Sequence, residues 1–385
     1  MIVTLNEGND LLAILAHING RHFIILCKGM DLQDIFIKSE KIASEHWQLG
    51  NTISNEVQEN GVVLIFCSDE RGSGGNAEVK DFSKLRKEFY ALSSFDFEVP
   101  ICDLGELISG KTQADTRYVL EEILTFCYNK NAVPVVIGGS VDLSYALFSA
   151  LNFHQKGINY AHVSNVASLS NEGEEISEAN YLHKILTKKE ASLRNFHLLG
   201  YQRHLNEIAL LKLMKEVDFD VLRLADMMNT TERAEPFFRR ADMVTLNCDA
   251  VESFTEAFST NPQVNGLNRR EICAYMKEIG LSENLKTVGV FNFNADSKNL
   301  LNHQLMAQML WYLIEGINIQ RTHPKERSYD TFVVLIDNRE FSFKRDTFSG
   351  LWYFAKGNEV KKWIPCSRED YENAKRGELN KRFLI

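Results

Sequence analysis

Short runs of apolar, mostly β-branched residues alternate with longer stretches in which apolar residues recur every three or four positions, from about residue 61 to residue 316. Gly61–Cys67, Glu98–Leu104, Val133–Ile137, Gly157–Val163, Asn195–Gly200, Asp220–Leu224, Met243–Cys248 and Lys286–Phe293 read as short strands, several apolar throughout. Between them, residues 79–92, 112–130, 205–214, 268–280 and 300–316 read as helices, as does the segment running to about Leu151. Phe82, Leu85, Phe89 and Leu92 share one face of the first. This alternation predicts an α/β fold, a three-layer sandwich with a parallel sheet of about eight strands and helices on both faces.

The two ends differ in texture. Residues 1–60 are mixed: Ile2–Leu5 and Phe23–Cys27 read as strands, Asp10–Ile18 carries helical spacing, and Asp31–Trp47 reads as an amphipathic helix. The chain thus divides into a 1–60 segment packed on the core, a 61–322 α/β domain and a 323–385 aromatic-rich C-terminal extension. In that extension Phe332–Ile336 and Arg339–Phe343 form a hairpin-like pair around Asp337-Asn338.

Composition narrows the function. The 385 residues are 44% apolar and 25% charged, as in an ordinary globular protein, and the net charge of -9 argues against a nucleic-acid binder. Seven scattered cysteines without a C-x-x-C pair read as reduced thiols of a cytoplasmic protein. No run approaches the length of a membrane span and no signal-peptide pattern opens the chain.

Chemistry is expected at the carboxyl ends of the strands, where open α/β sheets hold ligands. The Ser68–Asn76 loop is glycine-rich but lacks both phosphate-binding spacings and reads as a flexible loop at the sheet edge. In Val133–Leu147 a buried strand runs into Gly138-Gly139, a turn that tolerates no side chain, and Ser140 or Asp142 can cap the helix that follows. No G-x-S-x-G elbow and no cysteine in an activating setting is found.

Three strand ends taken together carry a resemblance: Gly138-Gly139-Ser140-Val141-Asp142, Tyr160-Ala161-His162-Val163-Ser164, and Thr245-Leu246-Asn247-Cys248-Asp249-Ala250-Val251-Glu252-Ser253. In order and spacing they resemble the G-G-D-H, D-A-H-x-D and S-x-D-x-D-x-x-D-P motifs of the ureohydrolase family, which includes arginase, agmatinase and formiminoglutamase. Lys84-Leu85-Arg86, Asp103-Leu104-Gly105, Asn265-Gly266-Leu267 with Glu271, and Asn292–Asp296 resemble further family pieces, so the likeness spans roughly residues 60–320. The resemblance implies an arginase-like fold and a hydrolase whose two manganese ions activate a hydroxide against a guanidinium or formimino carbon.

The six implied metal ligands are then followed residue by residue. The G-G-D-H histidine falls on Val141. The D-A-H-x-D residues fall on Tyr160, His162 and Ser164, and the S-x-D-x-D aspartates fall on Asn247 and Asp249. Only His162 and Asp249 are kept; ligands are lost at Val141, Tyr160, Ser164 and Asn247. Four carboxylates become one, too little charge to hold two dications side by side. The substrate-facing Glu falls on Asn292, and His183 matches a family substrate histidine only loosely.

The expectation is a pseudoenzyme of the ureohydrolase fold that binds a small-molecule ligand or a protein partner, and that forms homo-oligomers as the family does. Its pocket is expected from Gly138, Gly139, Ser140, Val141 and Asn292, without a metal or other cofactor. Two alternatives stand beside it. One is a manganese-dependent C–N hydrolase with a rearranged site. The other is a one-metal or metal-free hydrolase using His162 as base near Tyr160 and Asp249, any single metal being held by His162, Asp249 and Asn247.

Overall fold

A computed structural model describes residues 2–4, 12–18, 21–25, 35–40, 42–217, 219–228, 230–253, 255–322, 327–356, 363–380 and 383. Its strands are β1 (Ile2–Thr4), β2 (Leu12–Ile18), β3 (Arg21–Ile25), β4 (Phe36–Ile37), β5 (Val62–Cys67), β6 (Ile101–Leu107), β7 (Val133–Ile137), β8 (Ile158–Val163), β9 (Leu193–Tyr201), β10 (Asp220–Arg223), β11 (Met243–Asn247), β12 (Thr287–Phe291), β13 (Tyr329–Ile336), β14 (Arg339–Asp346), β15 (Trp352–Lys356) and β16 (Ile364–Cys366). The helices are α1 (Ser83–Tyr90), α2 (Gln113–Asn129), α3 (Ser144–His154), α4 (Tyr181–Thr187), α5 (Ile208–Glu216), α6 (Leu224–Met227), α7 (Glu235–Phe238), α8 (Arg269–Gly280), α9 (Leu300–Thr322) and α10 (Arg368–Lys375).

The central sheet has the order β10-β9-β8-β11-β12-β7-β5-β6-β4. Eight strands run parallel, and β4 pairs antiparallel on one edge. Every residue of β5, β7, β8, β11 and β12 is buried, as strands covered on both faces require. Alternate side chains enter two cores. Val62, Leu64, Phe66, Val135 and Val290 meet α1, α8 and α9 on one face, while Val63, Ile65, Val136 and Tyr160 meet α2, α3 and α4 on the other. These are the expected three layers.

The topology places a crevice. β7 leads into α3 on one face, and its neighbour β12 leads into α9 on the other. β8 and β11 diverge in the same way, toward α4 and α8. Chains leaving adjacent strands in opposite directions open a gap at the carboxyl edge.

Several local expectations need correction. Asp10–Ile18 is not helical where described: β2 pairs with β1 and β3 in an antiparallel sheet, because a short apolar run fits a strand as well as a helix. Residues 35–40 and 42–47 of the expected Asp31–Trp47 helix hold no α-helix, and β4 there pairs on β6; residues 31–34 and 41 lie outside the described residues. Cys27, the end of the expected Phe23–Cys27 strand, lies outside them as well. The Glu98–Leu104 strand moves to Ile101–Leu107: Pro100 has no N–H for the ladder, and Gly105, at φ +103°, carries the chain past an irregularity in register. The last helix continues past Gly316 to Thr322.

The C-terminal appendage is a four-stranded antiparallel sheet, β13-β14-β15-β16, with α10 against it. Asp337 and Asn338 both take positive φ, the turn geometry that suits the twist of a hairpin. Phe343, Trp352, Phe354 and Phe383 form its own small core. Arg239, 2% exposed, ties it to the main domain, held by Glu235 and donating to the carbonyls of Trp352 and Cys366. Among the described residues no helix is long and apolar enough to cross a membrane.

Candidate functional site

The crevice holds a cavity of about 570 Å³ lined by Asn261 and by residues of three kinds. Val141, Asn247 and Asp249 come from the strand ends. Val166–Glu172, Glu178 and Ala179 come from the loop after β8, and Glu207 and Leu210 from around the start of α5. Four carboxylates (Glu172, Glu178, Glu207 and Asp249) line it, and no Lys, Arg or His among the described residues does.

Its floor is held by one hydrogen-bonded unit. The Val141 N–H donates to Asn292 Oδ1 at 3.0 Å, and Asn292 Nδ2 donates to Asp249 Oδ2 at 3.0 Å. Asn247 Oδ1 accepts from the Asp249 N–H at 2.9 Å, so Asn247 caps the turn that aims Asp249. Asn292 sits at φ +59°, a conformation asparagine tolerates better than most side chains. Burial pushes the Asp249 carboxyl above its usual range, partly offset by the hydrogen bonds it accepts from the Asn292 amide and the Asn261 N–H. Glu178 is raised by burial and then by the charge of Asp249.

His162 is not in this cavity. It lies beneath it, fully buried, with Nδ1 2.7 Å from Thr245 Oγ1 and Nε2 2.9 Å from the Tyr181 hydroxyl. Tyr160 reaches the same Thr245 oxygen at 2.7 Å. Burial depresses the His162 imidazole to about 4 and raises the Tyr160 phenol to about 12. Ser164 is buried and turned into its own loop, its Oγ accepting from Val166 N–H at 3.3 Å. The expected cluster of His162, Tyr160 and Asp249 is therefore split: Asp249 and Asn247 face the cleft, and His162 and Tyr160 do not. His183 is absent from the cleft lining as well.

The residues of the expected pocket divide in the same way. Of Gly138, Gly139, Ser140, Val141 and Asn292, only Val141 lines the cavity. The two glycines, at φ +83° and +71°, are packing positions: a Cβ on Gly138 would lie 2.6 Å from the Cys67 carbonyl. Ser140 makes no capping bond to the following turn and donates instead to Asp142. Asp142 also accepts from Gln113 at 2.7 Å, and burial raises it to about 7. It supports the turn from behind and does not cap α3. The Ser68–Asn76 loop docks beside it: a Cβ on Gly72 would strike Asp142, and Arg71 is paired with Asp69 at 2.6 Å.

The weaker motif pieces also meet. Arg86 pairs with Asp103 at 2.8 Å and Glu106 at 2.7 Å, and Gly266 packs against Ala250 and Glu252 where a Cβ would not fit. Sequence reasoning missed Tyr181 and Glu178. Thr245 was within reach of it, since register places it opposite His162 on the neighbouring strand; nothing local marks Tyr181.

The fold defined by this sheet and crevice is that of the arginase/ureohydrolase superfamily. The chain superposes on Trypanosoma cruzi formiminoglutamase with manganese at a TM-score of 0.60, with 16% identity, over 69% of this chain and 95% of that one. Formimidoylglutamase from Bacillus subtilis gives 0.63 at 13% identity (73% and 95%), and agmatine ureohydrolase of Thermoplasma volcanium 0.57 at 12% (75% and 98%). No protein-family model matches the sequence, and no curated protein does.

The residues do not fit the paired manganese that this fold family implies. Among the described residues no three His, Cys, Asp or Glu side chains gather as a metal-holding group. Of the six family positions only Asp249 and Asn247 present oxygen donors to the cavity, one of them neutral, and Val141 presents none.

Proposed function

We propose that this chain is a ureohydrolase-fold protein that does not run the two-manganese reaction and acts by binding a small, positively charged ligand in the cleft. The observation that carries this reading is the lining: four carboxylates and no basic side chain among the described residues. Two carboxylates raised by burial, Glu178 also by the charge of Asp249, gain from an organic cation, which needs none of the geometry that paired metals demand. Val141, Val166, Leu169 and Leu210 suit an aliphatic stem.

Calorimetry with arginine, agmatine and formiminoglutamate, each assayed also for urea, ammonia or formamide release, tests it. Saturable binding of a cationic member without turnover, weakened at least about tenfold in Asp249→Asn, is expected. Turnover that depends on added manganese would replace this reading with that of a rearranged hydrolase. If none of these compounds or simple alkylamines binds, the cationic-ligand reading fails.

A second reading, action through another chain, is favoured by β13. It is an edge strand whose outer side chains Val333 and Leu335 are 62% and 70% exposed. Light scattering of wild type and Val333→Lys distinguishes a self-associating chain from a monomer.

A further inference from the structure

We infer that the buried relay Tyr160–Thr245–His162–Tyr181 is a built replacement for the metal centre of this fold, with Tyr181 as the residue that closes it. This is separate from the ligand reading, because none of the four lines the cleft.

The argument is one of lone pairs. A neutral imidazole has one N–H and one lone pair, on different nitrogens. In His162 both nitrogens have hydroxyl partners, Thr245 at 2.7 Å from Nδ1 and Tyr181 at 2.9 Å from Nε2. If the proton is on Nδ1, it is donated to Thr245, and the Nε2 lone pair accepts from Tyr181. If it is on Nε2, it is donated to Tyr181, and the Nδ1 lone pair accepts from Thr245. In both tautomers the lone pair a metal would need is already taken by a protein hydroxyl. Tyr160, standing where the family has a carboxylate, continues the chain through Thr245 at 2.7 Å.

All four side chains are fully buried. Opening either bond to His162 leaves a buried ring nitrogen without its hydroxyl partner, so the relay resists capture of the imidazole by a passing ion. His162 therefore persists as the satisfied centre of a buried hydroxyl cluster. Its retention carries no implication that a metal is retained.

The test is imidazole nitrogen NMR on the full chain labelled at histidine, with His162→Gln assigning the signals. In the wild type, one His162 nitrogen is expected to be protonated and the other to be a hydrogen-bonded acceptor, neither broadened by excess manganese ion. In Tyr181→Phe, which removes a single oxygen, the Nε2 shift is expected to move to that of a nitrogen without a hydroxyl partner. Paramagnetic broadening of the wild-type ring at stoichiometric manganese would overturn the inference, as would nitrogen shifts unchanged in Tyr181→Phe. If that variant does not fold, the wild-type manganese titration decides alone.

Discussion

At the scale of single residues, the cleft depends on Asn292 more than on the two family residues that survive. Its amide joins the Val141 backbone to the Asp249 carboxylate while its own backbone sits at positive φ. Asn292→Ala removes both bonds and places a Cβ residue in a strained conformation. A loss of about 2–4 kcal/mol is expected in denaturant unfolding, with Asn292→Gly losing less. Motif spacing in the sequence aligns Val141, Tyr160, Ser164 and Asn247 with ligand positions of the family it resembles. What was not legible is that the surviving pair is divided between two environments. His162 lies on β8 and Asp249 just past the end of the adjacent β11, where the residue after Asn247 begins a turn that carries Asp249 up into the crevice. His162 stays in the pleat, pointing with Tyr160 into the layer below. Motif spacing assigns residues to strands; it does not say which side chain a helix hydroxyl, here that of Tyr181, will reach.

At the scale of elements, parallel strands that are apolar throughout were the most legible features, because burial on both faces leaves no other pattern. The run Leu12–Ile18 was misjudged because seven apolar-rich residues satisfy either period, and only pairing with β1 and β3 decides. Gly316 shows a subtler ambiguity. The expected helix ended at this residue, yet α9 runs six residues past it, because it lies where α8 and α9 cross. A Cβ there would lie 2.3 Å from the Lys277 carbonyl and 2.8 Å from the Cα of Gly280. A glycine that ends a helix and one that lets two helices touch look the same in a single sequence. Gly316→Ala, which would improve helix propensity at an exposed site, is expected here to cost about 1–3 kcal/mol by forcing the helices apart, measured by thermal or denaturant unfolding.

At the scale of the whole molecule, the appended sheet and the main domain are joined through a buried ion pair. Arg239 and Glu235 are both buried, and the guanidinium also serves two carbonyls of the appendage. Arg239→Met strands a carboxylate and two carbonyls, and a loss of about 3–5 kcal/mol is expected in denaturant unfolding. Beside this joint, burial and then the charge of Glu235 raise Glu278 from 4.5 to about 7. Its folded value lies above its unfolded one, so its contribution is complete in acid and is lost as pH rises toward and through 7. Glu278→Gln is therefore expected to gain stability relative to wild type over that interval, by an amount on the order of 3 kcal/mol at most. A difference that shrinks as pH rises would contradict this.

The central proposal is that this chain has an arginase-type fold without the two-manganese chemistry. The most direct measurement is the manganese content of the purified chain after saturation with the ion and removal of the excess. The account predicts far less than one manganese per chain. Two manganese ions per chain would contradict it.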